Sequence, residues 1–149
     1  MQRVSRAQVT VAEQVAGQIG RGIVVFLGVQ QGDDGPDIEY TARKCAGLRI
    51  FPDEQGRFDR SVVDEGLSAL VISQFTLLGD VRRGRRPSFS KAMVPEEAEL
   101  SYERFVTALR ERVEPAGGEV ATGEFQALMD VELVNEGPVT ILLDSRKLF

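Results

Sequence analysis

The dipeptide Gly137-Pro138, set in Asn135-Glu136-Gly137-Pro138-Val139-Thr140, constrains this chain more than any other feature. Apolar, strand-like residues flank it at about 129–135 and 139–144. Proline has no N–H and a fixed φ, so within sheets it is confined to edges, bulges and turns. Gly-Pro between two strand patterns therefore predicts a turn. An X-Pro bond also adopts the cis form at a cost of only about 0.5–1 kcal/mol. The glycine beside it leaves its backbone uncovered, free to press against a ligand. On its own the dipeptide reads as an ordinary hairpin turn.

The next constraint is an absence: the 149 residues contain no histidine and one cysteine. That excludes Ser-His-Asp and Cys-His catalysis, His-ligated zinc and any imidazole base. One cysteine forms no internal disulfide and no thiolate metal cluster, and it fits a reducing cytoplasm. No metal or cofactor is expected. With 42% apolar and 28% charged residues the chain reads as an ordinary globular protein. Residues 1–149 are expected to form one domain, with no apolar run of the length a membrane span needs and no signal-peptide core. A net charge of −5 is not that of a general nucleic-acid binder, so any RNA contact must come from a local basic patch.

Partial alternation over residues 8–12 and 13–19 predicts two half-buried strands. Ile23-Val24-Val25-Phe26-Leu27-Gly28-Val29 predicts a strand buried on both faces. Pro36 fits the start of a helix whose stripe is Ile38, Thr41, Ala42, Cys45 and Ala46. Cys45 thus reads as a small core residue rather than a nucleophile. Residues 50–66 look irregular, and 67–78 form a second apolar strand. Pro95 opens a second helix, with Ala98, Tyr102, Phe105, Val106, Leu109 and Val113 on its buried face and Gly117-Gly118 at its end. A short strand is expected at 119–122, before the two that flank Gly-Pro. Strands outnumber helices, which predicts an α/β domain with a mainly antiparallel or mixed sheet and two packing helices.

The segment Ser73-Gln74-Phe75-Thr76-Leu77, taken with Asn135-Glu136-Gly137-Pro138, resembles the paired signature of the D-aminoacyl-tRNA deacylases. Gln2-Arg3-Val4, Gly84-Arg85-Arg86-Pro87-Ser88-Phe89, Val131-Glu132-Leu133-Val134-Asn135 and Leu143-Asp144-Ser145 extend the likeness over nearly the whole chain. The resemblance implies a barrel-like fold and a cytoplasmic homodimer acting on aminoacylated tRNA. By it, Ser73, Gln74, Phe75 and Thr76 line a pocket for the tRNA 3′ end, with Phe125 and Met129 near the substrate. Gly137-Pro138, as a cis peptide, arrives from the other subunit, and Arg3 braces it. The chain departs from the family pattern at Met1, which directly precedes Gln2 where a short apolar strand is usual. It departs again at Gln126, often glycine, and at Leu78, commonly aromatic.

An aminoacyl ester is already activated, so its hydrolysis needs a positioned water and donors for the oxyanion. Backbone N–H groups around Phe75 and Thr76 are the candidate donors. A Thr76 nucleophile would need an adjacent base, and none is evident. The resemblance favours assistance by the 2′-hydroxyl of the substrate instead. Gly-Pro carbonyls facing the α-carbon would exclude an L side chain and admit a D residue or glycine. Arg82, Arg83, Arg85 and Arg86 read as phosphate contacts for the acceptor stem or as a solvated loop. Asp53-Glu54 and Asp64-Glu65 read as surface charge rather than carboxylate dyads. Two other functions fit the sequence less closely: a non-catalytic nucleic-acid-binding module, and a deacylase of L-aminoacyl-tRNA.

Overall fold

The computed structural model describes residues 1–148. Strand β1 (Gln2–Val11) is the hub of a six-stranded mixed sheet. A two-residue turn at Ala12-Glu13, both at positive φ, returns the chain as β2 (Gln14–Ile19). Strand β3 (Gly22–Leu27) then pairs antiparallel with the other half of the same β1 edge, Val4 facing Gly22. The helix α1 (Gly35–Gly47) follows, opened by a reciprocal capping box between Asp34 and Asp37.

Residues expected to be irregular contain a small hairpin instead, β4 (Phe51–Pro52) and β5 (Phe58–Arg60). Its strands are too short and too broken by Pro52 to show periodicity, yet Phe51 is fully buried. Strand β6 (Ser68–Ser73) and β7 (Val120–Thr122) extend the sheet in parallel with β3, separated by α2 (Pro95–Val113). The last strand, β8 (Asp130–Thr140), covers the free edge of β1.

Alternation along β3 and β6 builds two cores from one pair of strands. Ile23, Val25, Ala69 and Val71 point to α1 and α2, where Phe105, Leu109, Ala42 and Cys45 pack on them. Val24, Leu70 and Ile72 point the other way, into a barrel interior shared with Val4, Ala7, Val9 and Ile19. The expected strand with two buried faces is thus the wall between a helical layer and a barrel. The barrel nearly closes because β2 curls into contact with β7. Among the described residues no helix is long and apolar enough to cross a membrane.

Gly137-Pro138 does not turn the chain. Strand β8 runs through it, and the expected second strand at 139–144 ends at Thr140. A sheet edge tolerates a residue without an N–H, and among the described residues β8 pairs with β1 alone. The extra chain is absorbed as a bulge: from Val4–Asn135 to Gln2–Thr140, a two-residue step on β1 answers a five-residue step on β8.

Candidate active site

Strand β6 ends with Ser73 opposite Leu27, and the Gln74 N–H donates to the Leu27 carbonyl at 2.8 Å. The chain then coils into a 3-10 turn, Phe75–Leu78, rather than ending as bare strand. The turn settles over the end of β3 because residue 28 is glycine: a Cβ there would stand 3.1 Å from the Gln74 carbonyl oxygen and 3.3 Å from Leu77 Cβ. Phe75, Thr76 and Leu77 are consequently exposed. The first amides of a helical turn have no acceptor within it. No side chain caps this one, and among the described residues the Phe75 and Thr76 amides meet no other acceptor. Two neighbouring N–H donors are thus without an acceptor among the described residues, next to the exposed Phe75 ring.

Among the described residues no side chain hydrogen-bonds the Thr76 hydroxyl. The nearest acid along the chain, Asp80, accepts from Arg82 Nε at 2.9 Å and from its Nη2 at 2.5 Å. Those bonds from Arg82 hold the Asp80 carboxyl far below the usual carboxylate range. Cys45 lies on the buried face of α1, where burial pushes its thiol up to about 12, the partial opposition of the N-terminal amine notwithstanding. It is a core residue, as expected. Among the described residues no three His, Cys, Asp or Glu side chains gather as a metal site would require.

Phe125 and Met129 lie beside the same strand end. The Gly123 N–H donates to the Val71 carbonyl, which also accepts from the Tyr102 hydroxyl at 2.9 Å. Phe125 packs 5.8 Å from the Tyr102 ring. Met129 is a partner of the barrel core, close to Gly123. Gln126, the departure from the family pattern, takes a left-handed φ of 60° on an exposed turn.

The arginines form a closed loop attached to this wall. Asp80 and Ser88 exchange both backbone hydrogen bonds at its base. Phe89 then packs edge-on against Phe75, ring centres 5.0 Å apart. Arg82 folds back onto Asp80, whereas Arg83, Arg85 and Arg86 are exposed and make no ion pair among the described residues. Sequence reasoning grouped these four cations. The side-chain clasp that separates Arg82 from the rest has no signal beyond an acid two positions upstream.

Gly137-Pro138 is a cis peptide, with Gly137 at φ 121°. The Asn135 amide closes the bulge from below, accepting from the Val139 N–H at 3.1 Å and donating to Thr140 Oγ1 at 3.0 Å. Arg3 fixes it from the side. Its guanidinium donates to the Glu136 carbonyl at 3.2 Å and to the Ile50 carbonyl at 2.5 Å, and pairs with the Glu136 carboxylate at 3.5 Å. Glu136 and the supporting role of Asn135 were not singled out in the sequence.

Removing a charged donor from two carbonyls, one of them buried, costs about 3 kcal/mol. Arg3→Ala is therefore expected to lower the melting temperature by about 6–12 °C in a thermal scan. Arg3→Lys should recover only part, since an ammonium cannot fork to both acceptors in this geometry.

The two motifs do not meet within one chain. Arg3 pairs with Ile23, while the Ser73 wall stands opposite Leu27, four residues further along β3. At roughly 3.3 Å per residue the separation is about 13 Å along the strand alone. Residues 1–144 match the family model described as D-Tyr-tRNA(Tyr) deacylase. The chain belongs to that family. Proteins named D-aminoacyl-tRNA deacylase from Symbiobacterium thermophilum and Koribacter versatilis are 57% and 56% identical to this deacylase-family chain over all 149 of its residues, covering 96% and 97% of their own lengths. One from Thermotoga petrophila is 54% identical over the same span and 97% of its own length. A solved structure named c-Myc DNA Unwinding Element Binding Protein superposes with a TM-score of 0.87 at 42% identity, covering 94% of this chain and 93% of that one. A probable eukaryotic D-amino acid tRNA deacylase shares the fold, with a TM-score of 0.74 at 16% identity over 91% of each chain.

Proposed function

We propose that this protein is a homodimeric D-aminoacyl-tRNA deacylase that hydrolyses the ester between a D-amino acid and the tRNA 3′ end. The observation that carries the activity is identity of more than half along the entire chain to proteins of that name. The site geometry supplies a mechanism. The ester carbonyl lies against the Phe75 and Thr76 amides, which take up the negative charge as water attacks its carbon. The substrate's 2′-hydroxyl orients that water, the ester C–O bond breaks, and the 3′-oxygen leaves with a proton. Thr76 contributes its backbone; its side chain takes no part in the chemistry. No step calls for a metal or cofactor.

The separation of the motifs supports a site shared between subunits. The free edge of β8 offers unpaired main-chain groups to a second copy. Gly137-Pro138 of one subunit then faces the Ser73–Thr76 wall of the other, with Gln74, Phe125 and Met129 around it. Its carbonyls leave room for hydrogen on one side of the substrate α-carbon and none for a side chain. A D residue passes, an L residue is excluded, and glycine has nothing to exclude. A protein of this kind acts in the cytoplasm, where charged tRNA is found.

Incubation with charged tRNAs tests the reading. D-tyrosyl-tRNA and glycyl-tRNA should be hydrolysed, L-tyrosyl-tRNA and L-alanyl-tRNA spared. Equal rates on L- and D-tyrosyl-tRNA would refute exclusion. Binding without hydrolysis would favour a nucleic-acid-binding module, a reading that the name of the 42%-identical structure keeps in view.

Arg83, Arg85 and Arg86 contact phosphates of the acceptor stem in this account, and Arg82, already neutralised by Asp80, contributes less. Replacing the three with alanine should flatten the slope of log affinity against log salt by about 2–3. Arg82→Ala should change it by well under 1, measured by filter binding across a salt series. An unchanged slope in the triple variant would remove the loop from the interface.

A further inference from the structure

Arg3 is not alone in holding the bulge. The Glu136 carboxylate, one residue before Gly137, lies 3.5 Å from Arg3 Nε and 3.4 Å from Arg21 Nε through the same oxygen. Arg21 comes from the tight turn between β2 and β3, a part of the chain that shares no motif with the bulge. Its Nη1 reaches Glu65 at 3.9 Å, and the other oxygen of Glu65 is 3.5 Å from Arg60 Nε. The result is an alternating run, Arg3, Glu136, Arg21, Glu65, Arg60. The hairpin of β4 and β5 floors it: both Arg3 and Arg21 lie over the fully buried Phe51 ring, at 6.0 and 5.4 Å, and Arg3 lies 5.3 Å from Phe58. Stacked guanidinium groups keep their planes fixed while their edges pair.

We propose that Arg21 and Glu136 are positioning residues that set where Gly137-Pro138 projects. This rests on the reading of that dipeptide as the element that excludes L-amino acids. Asn135 closes the bulge upon itself, and Arg3 ties its carbonyl to the sheet. Asn135 acts from within β8, and Arg3 acts from the neighbouring strand β1. Arg21 adds a further point of attachment, because it pulls on Glu136 from the connection between β2 and β3. The pairs are partly exposed, with Arg21 39% and Glu136 34% accessible, so salt weakens them. Chiral discrimination should therefore depend on ionic strength. The ratio of D- to L-tyrosyl-tRNA rates isolates this effect, since both substrates share one tRNA and its salt-dependent binding cancels.

The test measures that ratio in low and high salt for the parent dimer, Arg21→Gln, Glu136→Gln, Arg21→Lys and Gly137→Ala, with a thermal scan of each to verify folding. Both glutamine variants should lower the ratio about 2–5-fold by raising the L rate, with the D rate within about twofold of the parent. Arg21→Lys should restore part of it. The parent's ratio should fall as salt rises, and that of Arg21→Gln should hardly respond. If Gly137→Ala lowers the ratio while the folded glutamine variants keep the parent's value at both salts, the positioning role is overturned. If Gly137→Ala itself leaves the ratio unchanged, the underlying assignment of the dipeptide falls, and this inference with it.

Discussion

Thr76→Pro is expected to cut D-tyrosyl-tRNA hydrolysis about 100-fold or more, while Thr76→Val retains most of the parent's rate. The two variants separate a backbone role from a side-chain role at one position. Proline deletes the amide and keeps a φ suited to the first turn of a helix. Valine keeps the amide and deletes the hydroxyl. Loss of a single oxyanion donor elsewhere costs about 100–1000-fold in turnover, which sets the expected scale. Binding of uncharged tRNA should be unaffected, because in the proposed mechanism the Thr76 amide acts on charge that develops only during reaction. The surrounding structure permits the exchange: Thr76 is exposed, and its amide meets no acceptor among the described residues. If Thr76→Val were as impaired as Thr76→Pro, the hydroxyl would be the reacting group and the account of the chemistry would be wrong.

Gly137→Ala should produce the second large effect, on selectivity rather than turnover. A Cβ at residue 137 would stand 2.9 Å from Val139 Cγ2 and 3.0 Å from Arg3 Nη2, at a φ of 121° that L side chains rarely adopt. The bulge must shift, and the shift moves its carbonyls from the position that, in the proposed function, excludes an L side chain. A clash of this type, relieved, is worth about 1–3 kcal/mol. Hydrolysis of L-tyrosyl-tRNA should rise by roughly 10–100-fold, with the D rate much less affected. Single-turnover rates on the two enantiomers would measure it.

Much of this fold is legible in the sequence where periodicity is long. The buried stripe of α2 falls on Tyr102, Phe105, Val106, Leu109 and Val113 as expected, while the expected Ala98 is half-buried and Ser101 is buried; the unbroken run of β3 is buried on both faces. Short or interrupted patterns hid the rest. The β4 and β5 hairpin carries too few residues to alternate, and β8 passes through a proline that local rules assign to a turn. A lone edge position resolves that conflict, and it is a property of the sheet, not of the dipeptide. The residues Ser73 to Thr76 were legible as a motif, whereas the 3-10 coil that leaves the Phe75 and Thr76 amides without an acceptor among the described residues was not. Least visible were the attachments across the chain. Arg21 meets Glu136 over 115 positions, and nothing local to either residue signals the other.

Whether the loop that judges handedness belongs to the opposite subunit can be read from one engineered dimer. A heterodimer of a Thr76→Pro chain and a Gly137→Ala chain, isolated with two affinity tags, contains a single working wall, that of the Gly137→Ala chain. If the loop serves the other subunit's wall, this wall faces an unaltered loop, and the heterodimer should hydrolyse D-tyrosyl-tRNA and spare L-tyrosyl-tRNA. If the heterodimer instead hydrolyses L-tyrosyl-tRNA as the Gly137→Ala homodimer does, each chain reads handedness with its own loop, and the shared site is contradicted.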